Sequence, residues 1–89
     1  MTEAHLVIRN EMGLHARTCA EFVKTAARFK SHVWVSRDDL EVNGKSIMGL
    51  LMLAAEEGAI IRVRTEGDDE AVALATLKAL VESRFGGMP

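Results

Sequence analysis

Only one cysteine, Cys19, occurs in the 89 residues, so no internal disulfide can form, and a lone thiol fits a reducing compartment. Basic charge is not in excess either. Eleven Lys and Arg stand against thirteen Asp and Glu, a net charge of -2, and without a basic stripe no nucleic-acid partner is expected. No stretch approaches the roughly 20 apolar residues that span a bilayer. The start, Met1-Thr2-Glu3-Ala4-His5, holds no basic segment leading into an apolar run, so the expectation is a cytoplasmic protein without membrane insertion. Linkers, repeats and low-complexity tracts are missing, and there is a single proline. His5, His15 and His32 show no ligand spacing that argues for zinc, and neither metal nor cofactor is expected.

What is present is the balance of a compact globular chain, 48% hydrophobic and 27% charged. At this length there is room for one thin core and one domain, residues 1–89, expected to fold alone. Leu6-Val7-Ile8 reads as a short strand, after which Asn10-Glu11-Met12-Gly13 breaks the pattern. From Ala16 to about Phe29, Cys19, Ala20, Val23, Ala26 and Ala27 recur at helical spacing, and Cys19 reads as a packed residue rather than a reactive one. Val33-Trp34-Val35 and Leu40-Glu41-Val42 read as a hairpin through Arg37-Asp38-Asp39. Ser46 stands where a helix N-cap belongs, ahead of a short apolar helix, Ile47 to Leu53. Ile60–Arg64 reads as a fourth strand, and Gly67-Asp68-Asp69-Glu70 supplies cap and acids for a last helix with Leu74, Leu77, Val81 and Phe85 on its buried face. The order βαββαβα is that of an α+β domain, one antiparallel sheet burying a single face beneath helices, with residues 86–89 as a loose tail.

The segment that carries chemistry is Gly13-Leu14-His15-Ala16-Arg17, because it places an imidazole where a glycine-containing loop meets a helix. First-turn N–H groups lack intrahelical partners and carry a partial positive charge, so they favour an anion there. A neutral imidazole at that point offers a lone pair that can attack a phosphoryl group. Arg17 adds a planar, permanently charged fork suited to phosphate oxygens and to the charge of a loose phosphoryl-transfer state. Taken locally, a surface cap beside a solvated arginine is the competing reading. His is not among the favoured N-cap types, which weighs against that alternative.

A second segment is Gly44-Lys45-Ser46-Ile47-Met48-Gly49-Leu50. Six apolar residues in a two-turn helix cannot all point inward, and methionine suits a surface that must accept several partners. Ile47, Met48 and Leu51 are therefore expected as docking residues.

Both segments resemble those of the HPr family, the first its active-site sequence and the second its regulatory one, at the matching separation and within a chain of matching length. The resemblance implies an open-faced β-sandwich, four antiparallel strands covered on one side. It implies phosphate accepted on Nδ1 of His15 from phosphorylated Enzyme I and passed to IIA components of sugar permeases or to a regulatory branch. By the same resemblance Arg17 would assist the transfer, and from the helix start itself Ala16, Arg17 and Thr18 are expected to bind the phosphate. Ser46 resembles the serine modified by HPr kinase/phosphorylase, and the protein would act as a monomeric stoichiometric carrier rather than an enzyme. Family members usually carry proline where this chain has Thr18, which brings a backbone N–H to the helix start. The alternative is an HPr-fold regulatory binding module that carries no phosphate on histidine.

Overall fold

The computed structural model describes all residues from Met1 to Pro89. Its elements are β1 (Thr2–Val7), α1 (Ala16–Ala26), β2 (His32–Arg37), β3 (Leu40–Asn43), α2 (Ile47–Met52), β4 (Ile60–Glu66), α3 (Glu70–Glu82) and a one-turn α4 (Arg84–Gly87). The strands form one antiparallel sheet in the order β1-β4-β2-β3. Because strand side chains alternate, the register sets a single inner face. Leu6 pairs with Ile61, Ala4 with Val63, and Val63 in turn with Val35, so an aliphatic band runs across the sheet. The helices pack on that band, and Leu6, Phe22, Val35, Leu50, Ile61, Val63, Leu77 and Val81 belong to one buried cluster. Burying each larger side chain is worth about 1.5–3 kcal/mol. The outer face stays open, with the Arg64 guanidinium 4.9 Å from the Trp34 ring centroid and His32 stacked on that ring at 5.5 Å.

Several element boundaries differ from those expected, each for a local reason. β1 begins at Thr2 because Thr2, Ala4 and Leu6 alternate inward against β4, and Ile8, just beyond it, donates to Ala59 O at 2.9 Å. α1 stops at Ala26 rather than Phe29. Arg28 and Phe29 donate back three residues to Thr25 and Ala26 (both 3.1 Å), the tightened turn that commonly ends a helix. Its buried stripe is Thr18, Cys19, Phe22, Thr25 and Ala26, so Ala20 and Val23 lie at the flank and Ala27 is exposed.

Ahead of α3, Asp69 makes no cap hydrogen bond. Its carboxylate accepts instead from the N–H groups of Lys30 and Ser31, both at 2.9 Å, and from the Ser31 hydroxyl, tying α3 to the turn before β2. The Ser31 hydroxyl first, then the Lys30 N–H, hold the Asp69 carboxyl below the usual range. On α3 itself Ala73, Leu77 and Val81 are buried, and Leu74 is only partly so. Residues 86–89, expected as a loose tail, make defined contacts: Met88 packs on the core, and the Pro89 carbonyl accepts from Asn10 Nδ2 at 3.2 Å and from Met12 N–H. α4 winds left-handed, with φ of 59° at Arg84 and 55° at Phe85. Such backbone costs of order 1 kcal/mol or more per non-glycine residue, which the burial of Phe85 offsets.

Candidate active site

The loop from Asn10 to Leu14 is held down at each step. Gly13 adopts φ +66°, and a β-carbon there would lie 2.3 Å from Ala55 O and 2.8 Å from Glu56 Cα, so only glycine allows this close approach. Asn10 Nδ2 donates to Gly13 O at 2.7 Å, and Leu14 N–H donates to Ala55 O at 2.8 Å while its side chain is buried. The supporting segment is fixed by Arg37, which donates to Ala54 O at 2.8 Å and pairs with Glu56 at 2.7 Å. That hydrogen bond from Arg37 keeps the Glu56 carboxyl below its ordinary range.

His15 then caps α1 with extended backbone, φ -125° and ψ -178°. Its Nδ1 accepts the Arg17 N–H at 3.2 Å, and the Thr18 N–H also points at the ring. An acceptor nitrogen keeps its lone pair, so these bonds assign the ring hydrogen to Nε2. Nε2 is closed off from solvent and has no hydrogen-bond partner. The Nδ1 edge, by contrast, meets the exposed first turn of α1. The Arg17 side chain is exposed and takes part in no ion pair or hydrogen bond, so its guanidinium is free for an incoming anion. Thr18 is wholly buried, and its hydroxyl accepts the His15 N–H at 3.0 Å and donates to Gly13 O at 2.9 Å. The sequence signature of such a reciprocal arrangement is Glu or Gln three residues after a Ser or Thr cap, so His15 with Thr18 carries no such signal, and this role of the Thr18 hydroxyl emerges only from the folded chain.

Cys19 lies inside the core, and burial pushes its thiol up to about 11. The thiolate is the reactive form, so this cysteine packs rather than reacts.

Ser46 caps α2, its Oγ accepting from Gly49 N–H at 3.0 Å. Leu50 and Leu53 point inward, Ile47 and Met48 are exposed, and Leu51 is half-buried against the core. Met52 is 66% exposed and Met12 62%, so both offer more apolar surface than Leu51 does. The helix of six residues is about 9 Å long. Ser46 stands at its start, and the Ala55–Glu56 support of the His15 loop follows its end, which places the exposed residues of α2 between the two segments.

The model of the PTS HPr component phosphorylation site matches residues 2–83. The phosphocarrier protein HPr of Neisseria meningitidis serogroup A is 50% identical over 86 residues, 97% of each chain. That of Xylella fastidiosa strain 9a5c is 47% identical over 85 residues, 96% of each. Among solved structures, HPr-C-His from Thermoanaerobacter tengcongensis superimposes with a TM-score of 0.95 at 45% identity, covering all of both chains. Crh of Bacillus subtilis, a catabolite-repression protein described as a swapped dimer, gives 0.77 at 40% identity over 94% of this chain and 97% of its own. With the fold, the element order and nearly every residue position matched, the chain belongs to the HPr family of phosphocarriers of the phosphotransferase system.

Proposed function

We propose that the protein accepts a phosphoryl group on Nδ1 of His15 from phosphorylated Enzyme I and delivers it to IIA components of sugar permeases or of a regulatory branch. The observation that carries this reading is the asymmetry of the ring: Nδ1 faces first-turn donors at the surface, whereas Nε2 is closed off. In the acceptance step the Nδ1 lone pair forms the bond to phosphorus as the donor's bond to phosphorus breaks, and the donor recovers that electron pair. Nε2 keeps its hydrogen, and the ring gains the positive charge. The N–H groups of Arg17 and Thr18 then face phosphate oxygens instead of a lone pair, that of Ala16 joins them, and the Arg17 guanidinium spreads the charge of the transfer state. Delivery is the reverse displacement, with a nucleophile on the acceptor. The protein is a carrier consumed and regenerated stoichiometrically, acting as a cytoplasmic monomer.

Ser46 serves as the regulatory site for HPr kinase/phosphorylase. A phosphate there adds about -1.5 to -2 of charge at the edge of the Ile47, Met48 and Leu51 surface. That charge weakens docking of Enzyme I without touching His15. The test is reconstitution. With phosphoenolpyruvate, Enzyme I and a IIA acceptor, label should pass through this protein to the acceptor. No label on the acceptor, or label arriving equally well without this protein, overturns the reading.

A further inference from the structure

Resting on the phosphocarrier reading, we infer that the Thr18 hydroxyl is a positioning group for phosphoryl transfer, setting His15 against the first-turn donors of α1. The oxygen reaches back from the helix to two successive points of the loop-to-helix junction. It accepts the N–H of His15 at 3.0 Å and donates its one hydrogen to the carbonyl of Gly13 at 2.9 Å, with the His15 carbonyl a more distant 3.3 Å away. Gly13 is the residue whose φ of +66° and contact with Ala55 fix the loop. His15 holds the reacting nitrogen. One buried hydroxyl therefore ties the glycine turn to the backbone of the nucleophile.

Thr18 is 0% exposed, so it cannot meet a docking partner through its side chain, and its hydroxyl is already engaged on both sides. Any influence on transfer runs through His15. Without the hydroxyl, the His15 N–H loses its partner at a half-buried position and Gly13 O loses one of its bonds in the interior, and the cap can relax by rotating His15 away from the Arg17 and Thr18 N–H groups. Proline at this position has neither hydroxyl nor N–H, so a chain with proline must hold the junction differently. Serine keeps the oxygen and loses only a methyl group.

The experiment compares the wild type with Thr18→Val, which keeps the shape and removes the hydroxyl, with Thr18→Ser, and with Thr65→Ala as a remote control. Thr65 is also fully buried and hydrogen-bonded, to the Glu70 carbonyl at 2.9 Å, but lies in β4 away from the His15 loop. Two quantities are read: amide hydrogen exchange at His15, which needs no phosphoryl donor, and steady-state transfer from Enzyme I with phosphoenolpyruvate. Thr18→Val should speed exchange at the His15 N–H about tenfold, the loss of one modest hydrogen bond. It should lower kcat about tenfold with KM for Enzyme I within about twofold, as misplacement of a reacting group does. Thr18→Ser should restore both. Thr65→Ala should lose stability but keep kcat. If Thr18→Val does not fold, Thr18→Ala takes its place with the same expectations. A wild-type kcat in the folded hydroxyl-free variant, a change in KM instead of kcat, no rescue by serine, or an equal loss in Thr65→Ala overturns the inference. Failure of Enzyme I to label the wild type at all would instead overturn the phosphocarrier reading, while the exchange rates alone would still decide whether the hydroxyl holds His15.

Discussion

At the scale of single residues, the site depends on a ring whose two nitrogens have different surroundings. His15→Ala should stay folded, because the imidazole is only half-buried, and should take up no phosphate. Circular dichroism together with label uptake checks this, and uptake retained on His5 or His32 would contradict it. Arg17→Ala leaves a surface position, so KM for Enzyme I should hold while kcat falls by about 10- to 100-fold, less than the roughly 100- to 1000-fold of an enclosed stabilising donor because solvent screens the exposed guanidinium. An unchanged kcat would make Arg17 an ordinary surface charge. Gly13→Ala should cost at least about 2 kcal/mol, since left-handed backbone and a backbone clash combine. In a domain of this size that lowers Tm by at least about 8 °C. A melting curve that shifts by less contradicts the account of the loop. The placement of His15 at a helix start was legible because a glycine-containing loop and an amphipathic run meet there in the sequence itself. The bond from the Thr18 hydroxyl back to Gly13 was not, since it depends on how a turn folds over itself.

At the scale of elements, α2 combines capping with an exposed apolar face. Ser46→Ala removes the acceptor for Gly49 N–H and should cost about 1 kcal/mol in chemical denaturation. Ser46→Asp should raise KM for Enzyme I more than it lowers kcat, because the added charge acts on docking; equal affinity by titration contradicts the regulatory role. The order and type of the long elements could be read from hydrophobic period, since α1, β2, β4 and α3 each bury one clear set of side chains. Boundaries could not be. The end of α1 is set by a tightened turn, and Asp69, within the segment expected to supply cap and acids for α3, spends its carboxylate on Lys30 and Ser31 because the turn before β2 comes within reach only in the folded chain. The orientation of Leu51 and Met52 likewise follows from which side of a six-residue helix meets the core, a choice that an apolar run with no polar face does not encode.

At the scale of the molecule, a single sheet face carries the core, and polar links join its helices to the loops. The Asp69 carboxyl is held below its usual value by the Ser31 hydroxyl and the Lys30 N–H. Its charged form is favoured in the folded state, so its contribution is complete above the ordinary aspartate value of 3.8 and is lost as pH falls below that through the depressed one. Urea midpoints of the wild type should fall more steeply with acid than those of Asp69→Asn over that interval; parallel curves contradict the link. The central claim, that this fold serves to hold phosphate on one nitrogen of one histidine, is tested most directly by phosphorus NMR and site mapping after incubation with Enzyme I and phosphoenolpyruvate. The account predicts one acid-labile phosphate per chain, attached to Nδ1 of His15 and absent in His15→Ala. Phosphate on Nε2, on another residue, or on none would contradict it.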